Sequence, residues 1–138
     1  MMATQQEIIE FLTREFPQSL KKNRIEAIVP KGAHTIYQVD QDDLRPGQTI
    51  SGPTLMLIAD LALYIAILGE LGIVAMAVTT NMNINFLRKP NGKQDIKAVS
   101  QLIKVGKTLV VGEVWLYSVG MDEPVAHVTG TYALPLAN

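Results

Sequence analysis

The spacing of apolar positions changes along the chain, and each change predicts an element. Ile8, Leu12 and Phe16 recur at helical intervals behind Thr4 and Glu7 in capping-box spacing, and Pro17 stops the pattern. This predicts a short amphipathic helix over residues 4–16 that covers the rest of the domain. Residues 25–39 are rich in Val, Ile, Thr and Tyr but broken by Pro30 and Gly32, which suggests a hairpin-like or bulged strand region. Residues 40–51 are polar and turn-forming and read as a loop.

Gly52 and Pro53 then open the most distinctive run, because residues 54–71 are apolar almost all the way round. Such a helix must be buried on nearly every side. Ala59, Ala62, Ala66 and Gly69 form a stripe of small residues on which it can lie close to a sheet or a second helix, and Gly69 and Gly72 supply its exit. Asp60 and Glu70 interrupt the apolar stretch, so it reads as a core helix rather than a membrane span.

From residue 74 to 88 the period becomes two. Val74, Met76, Val78, Met82, Ile84 and Phe86 fall on one face, and Thr79, Asn81, Asn83 and Asn85 on the other. Turns at Pro90-Asn91-Gly92, Val105-Gly106-Lys107 and Gly120-Met121-Asp122-Glu123 separate further strands at 95–104, 108–119 and 125–134. The prediction is one α+β domain over residues 1–138, a curved antiparallel meander wrapped around a long central helix. Val111, Trp115 and Tyr117 fall on the outer side of that sheet, as scattered surface aromatics or, slightly favoured, as an oligomer contact.

Composition narrows the function. A net charge of -1 and no basic block larger than the Lys21, Lys22 and Arg24 cluster argue against a nucleic-acid partner. Without cysteine there is no thiolate metal site or cysteine nucleophile, and the chain suits a reducing, cytoplasmic compartment. The first residues lack the pattern of a secretory signal. His34 and His127 show no metal-ligand spacing, and no nucleophile elbow, P-loop or dinucleotide fingerprint is present.

Asp60 stands out as the one acid between Asp43 and Glu70, placed mid-helix among Ile58, Leu61, Ala62 and Tyr64. An unpaired carboxylate there is costly, so it is either a general base or nucleophile, or an acid satisfied by Tyr64, by Ser or Thr hydroxyls, or by a subunit contact. Gly52, at the helix start, suits an oxyanion donor as well as a plain N-cap. Eight helical residues separate the two, a rise of roughly 12 Å, so if both act on one carbonyl they must come from different subunits. Lys89, Lys93, Lys104, Lys107 and Arg88 gather at predicted strand ends and turns, as a solvated rim or a site for CoA phosphates.

The runs from Ser51 to Asp60 and from Ala77 to Pro90, with the Lys104–Lys107 turn and the closing Val125–Thr131 strand, resemble the core signature of phenylacetate-pathway (PaaI-like) hotdog thioesterases. The resemblance implies a homodimer or dimer of dimers whose interfacial sites hydrolyse acyl-CoA without metal or cofactor. It places Asp60 at the helix carboxylate, Gly52 at the glycine whose amide polarises the thioester, and Thr79 near a hydroxyl that orients the water. Ser51-Gly52-Pro53 stands where the family commonly has His-Gly-Gly, and Arg45 where many members have Asn or Gln.

The expected site therefore joins Asp60, Gly52 and Thr79 with substrate contacts from Arg45, Ser51, Pro53, Tyr64, Asn81, Arg88, Lys89, Lys104 and Lys107. The expected reaction is hydrolysis of an aryl or medium-chain acyl-CoA. A non-catalytic acyl-CoA-binding or scaffold protein is the alternative. A hydratase of the same fold is disfavoured, because the helix carries no histidine after Asp60.

Overall fold

A computed structural model describes residues 2–135. The N-terminal helix α1 (Gln5–Glu15) opens on the expected capping box, with Glu7 N–H on the Thr4 hydroxyl and Thr4 N–H on the Glu7 carboxylate. A 3-10 turn, Pro17–Leu20, leads into strands β1 (Asn23–Val29) and β2 (Gly32–Tyr37), which form the first hairpin.

Residues 40–51 are more ordered than a plain loop. They contain a 3-10 turn, Gln41–Asp43, and a two-residue hairpin of β3 (Leu44–Arg45) and β4 (Thr49–Ile50). Strands this short leave no period to read, and the segment is held instead by Asp43, which is buried.

Helix α2 (Gly52–Leu71) follows, then β5 (Val78–Phe86), β6 (Ile96–Val105), β7 (Leu109–Ser118) and β8 (Ala126–Ala133). The main sheet has six strands in the order β1-β2-β6-β7-β8-β5, all neighbours antiparallel. The meander is thus confined to β6, β7 and β8. The turn at residues 90–92 is a crossover rather than a hairpin, because β2 already occupies the side of β6 that β5 would need.

The inner face of the sheet closes on α2, as the small-residue stripe requires. Ala59, Ala62 and Ala66 are fully buried, and the Ser100 hydroxyl of β6 reaches the Ala62 carbonyl at 2.9 Å. Gly112 of β7 and Gly130 of β8 are partners in register, and a β-carbon on either would lie 2.6 or 2.8 Å from the methyls of Leu63. That notch receives Leu63 and sets the rotation of the helix on the sheet. Val111, Trp115 and Tyr117 lie on the outer face, as expected, where they are half-buried, and the His127 ring is tilted against Trp115 with centroids 4.0 Å apart.

The strand after α2 begins at Val78 rather than residue 74, and residues 75–76 form a turn. Its alternation is also broken. Thr79 pairs with Tyr132 and Asn81 with Thr131, so Thr80 is an extra residue, a β-bulge. The bulge reverses the predicted facing at the start of the strand. Thr79 turns inward with Tyr132, while Asn81 stays on the outer side with Thr131.

Candidate active site

Ser51, not Gly52, caps α2. Its side chain accepts from Thr54 N–H, which makes Gly52 the first helical residue and Pro53 the second. The Gly52 N–H is therefore one of the first-turn amides with no acceptor inside the helix, backed by the helix dipole. A β-carbon at Gly52 would lie 3.1 Å from the Phe86 ring, so the absence of a side chain lets β5 close over the helix start.

Two turns along, Asp60 is half-buried and meets two hydroxyls. Thr79 Oγ1 donates to Asp60 Oδ1 at 2.6 Å, and Tyr132 Oη lies 2.5 Å from the same oxygen and 2.8 Å from the Asp60 carbonyl. Both contacts fall on Oδ1. Among the described residues no donor is bonded to Oδ2. Burial pushes the Tyr132 phenol well above its ordinary range, and the hydrogen bond to Asp60 pushes it further, so Tyr132 is a proton donor that stays protonated.

Tyr64 does not satisfy Asp60. Its hydroxyl donates to the Ala75 carbonyl at 3.0 Å, and its ring stacks on Tyr132 at 6.2 Å between centroids. The partner that sequence reasoning missed is Tyr132, which pairs in register with Thr79 only because of the bulge; no spacing in the sequence links residues 60 and 132.

Asp60, Thr79, Tyr132 and Tyr64 line a cleft of about 820 Å³. Its apolar walls are Phe11 and Phe16 from the N-terminal segment, Leu57 and Leu61 from α2, and Met76 and Val78 before and within β5. Gly52 opens instead onto a second hollow of about 370 Å³, with Phe86, Arg45, Arg88 and Lys89. Within one chain the carboxylate and the helix-start amide therefore face different spaces.

The predicted cationic substrate contacts divide. Arg45, Arg88 and Lys89 share the Gly52 hollow, and Arg88 is tied to the Pro124 carbonyl and to Glu123 at 3.2 Å. Lys104 and Lys107 stand at the opposite end of the sheet, where Val105 pairs with Val110, while Phe86, just before Arg88, pairs with Ala126 at the other. A strand rises about 3.3 Å per residue, so the two groups are separated by most of the sheet's length in one chain. Pro53 is exposed at the helix start, and Asn81 faces away from the Asp60 cleft.

A buried cluster also stands beside the helix start. Asp43, 5% exposed, accepts from Tyr37 Oη at 2.7 Å, Lys22 Nζ at 2.7 Å, the Asp40 amide at 3.0 Å and Thr54 Oγ1 at 3.3 Å. Burial alone pushes the Asp43 carboxyl up, but the Asp40 amide, Lys22 and Tyr37 outweigh it and hold the group below the ordinary aspartate value. Burial likewise works against the Lys22 ammonium, yet its contacts with Asp43, Tyr37 and Asp40 hold it well above the usual lysine range.

Comparison with known proteins decides the family. The thioesterase superfamily profile matches residues 47–125, more than half of the chain. A candidate thioesterase from Silicibacter sp. TM1040 is 38% identical, with a TM-score of 0.88 over 96% of this chain and 92% of that one. The chain belongs to the thioesterase superfamily. As a superfamily member it carries the hotdog fold, the sheet wrapped on α2. The E. coli PaaI protein from the phenylacetic acid degradation operon shares that fold at 19% identity and a TM-score of 0.84, over 97% of this chain and 95% of its own. A hypothetical thioesterase from Streptococcus pneumoniae TIGR4, solved with coenzyme A, does so at 16% identity and 0.75, over 92% and 96%. No curated protein matches this thioesterase-superfamily chain.

Proposed function

We propose that the protein hydrolyses acyl-CoA thioesters in a site shared by two subunits. The observation that carries this reading is Asp60, with Oδ1 fixed by Thr79 and Tyr132 and Oδ2 on an apolar cleft without a donor among the described residues. A carboxylate held in this way is oriented as a general base for water, or as a nucleophile toward the thioester carbon. The separate hollow at Gly52 supports a second subunit as the source of the oxyanion donor. Exposed Met56, Leu57, Val78 and Phe86 supply apolar surface for such a dimer.

In this reaction the acyl group lies in the Asp60 cleft, whose aromatic and aliphatic walls suit aryl or medium-chain acids. Asp60 takes a proton from water as the water adds to the carbonyl carbon. The carbonyl oxygen becomes an oxyanion on the partner subunit's helix-start amide, and collapse expels CoA as its thiolate. Arg45, Arg88 and Lys89 lie on the same side as that amide and suit the CoA phosphates better than Lys104 and Lys107.

Thiol release from a panel of aryl and aliphatic acyl-CoAs tests the activity. Asp60→Asn should fold and assemble as wild type but lose turnover. Gly52→Ala keeps the amide but sets a methyl 3.1 Å from the Phe86 ring where the thioester must approach, and it should lose turnover by crowding, with folding and assembly checked first. Mixing the two inactive proteins under subunit exchange should restore roughly a quarter of the sites, because half of the dimers then carry one intact pair. Binding of acyl-CoA by the wild type without thiol release would instead favour the non-catalytic role, and turnover by Asp60→Asn would remove Asp60 from the chemistry.

A further inference from the structure

Asp43 is a buried carboxylate that the proposed reaction does not use, yet it grips the start of α2 twice. Its main-chain carbonyl accepts from Ser51 N–H at 2.8 Å, and its side chain accepts from Thr54 Oγ1 at 3.3 Å. Thr54 Oγ1 in turn accepts from the Ser51 hydroxyl at 3.0 Å. Gly52 lies between these two anchored residues, so Asp43 fixes where its amide points.

The same contact places a negative charge within one turn of an amide meant to receive an oxyanion, and like charges at close range oppose each other most where water is excluded. Lys22 answers that charge. Its ammonium lies 2.7 Å from Asp43 Oδ2 and 2.9 Å from the Asp40 carboxylate, and it sits over the Tyr37 ring at 5.0 Å from the centroid. Asp40 is half-exposed and screened by solvent, whereas Asp43 is not. Other charged groups are absent from this cluster's hydrogen bonds and ion pairs among the described residues.

Building on the proposed thioesterase reaction, we infer that Lys22 is a positioning residue: by pairing with Asp43 it lets a carboxylate clamp the helix start without opposing the oxyanion at Gly52. The carboxylate supplies the rigidity, and the lysine cancels its field. Lys22 and Tyr37 also line the Asp60 cleft, so a change at Lys22 alters a wall of the acyl site as well. The charge effect is the part that falls on the transition state, where charge develops on the carbonyl oxygen.

The test measures kcat and KM separately for Lys22→Met, for Lys22→Met with Asp43→Asn, and for Lys97→Met, which removes a surface ion pair to Glu26 at 3.1 Å and serves as control. Melting and oligomeric state are matched first. Lys22→Met should lower kcat about tenfold, and the double variant, which has the same altered cleft wall and should show the same KM as the single variant, should recover most of that loss because no bare anion remains. A merely structural role predicts a double variant no faster than the single one, and that result, or an unchanged kcat in Lys22→Met, overturns the inference. Should Lys22→Met not fold, Thr54→Val carries the test: a fall in kcat of about threefold at constant KM is expected, and no change overturns it. Wild-type thiol release in the same assay keeps two failures apart. Its absence sinks the proposed activity together with this inference, whereas normal release with unaltered variants sinks the inference alone.

Discussion

Tyr132 Oη sits 2.5 Å from Asp60 Oδ1, across the sheet-to-helix interface and opposite Thr79 in the strand register. Two hydroxyls from adjacent strands therefore hold one oxygen of a helical carboxylate. Tyr132→Phe and Thr79→Val each remove one donor while keeping shape. Each should lower kcat by roughly tenfold to a hundredfold, with stability changed by only about 1 kcal/mol, and the double variant should lose less than the product of the two. Steady-state kinetics and urea denaturation on the same preparations read both quantities.

The bulge makes a sharper expectation. Deleting Thr80 removes the bulge yet leaves Thr79 beside Asn81 and opposite Tyr132, so Thr79 keeps its inward facing if the pairing of residues 81–86 with β8 is kept. The deletion should therefore cost less activity than Thr79→Val. A loss as large as that of Thr79→Val would show that the bulge itself, and not only the facing of Thr79, sets the hydroxyl on Asp60.

Leu63 and its glycine notch predict a packing coupling. Gly112→Ala places a β-carbon 2.6 Å from a Leu63 methyl and should cost about 1–3 kcal/mol. Leu63→Ala alone should cost about 2–5 kcal/mol. Together they should cost clearly less than the sum, because the smaller side chain makes room for the new methyl. Chemical denaturation of the four-member cycle measures the difference.

Stability should fall at both ends of the pH scale for identifiable reasons. Asp43 is held below its ordinary value of 3.8, so the stability it contributes is present above that value and lost as pH falls through the depressed one. Asp43→Asn should be less stable at neutral pH and lose less on acidification. Tyr37, Tyr64 and Tyr132 are raised chiefly by burial, and Lys22 is raised by its partners despite burial. Their stability is present below the unfolded pKa values near 10 and is lost as pH climbs. Tyr132→Phe should flatten that alkaline limb in urea titrations taken across pH 9 to 11.

What the sequence made legible follows from the range of the signals. The nearly all-apolar helix, the capping box at Thr4 and the later strands carry local periods, and Asp60 declares itself by being a charge in an apolar run. The bulge at Thr80 is hidden because Thr79, Thr80 and Asn81 are all polar, so one inserted residue leaves no mark on the pattern. Tyr132 occupies an inward strand position where a core aromatic is unremarkable, and only the register brings it to Asp60. Asp43 lies in a polar turn, where acids usually face solvent. The division of the basic residues between opposite ends of the sheet needed the strand order, which sequence proximity to turns does not convey.

The chain has one tryptophan, and Trp115 lies on the outer face of the sheet against His127, with the helix and the Asp60 cleft on the other side. Its emission is therefore a report on whatever covers the convex surface, and it should shift when copies stack there or come apart. An acyl group entering the cleft meets Tyr64 and Tyr132 instead, so occupancy of the site should leave the tryptophan spectrum almost unchanged. Contacts on the outer sheet face and substrate binding can thus be followed as separate optical signals in the unlabelled protein.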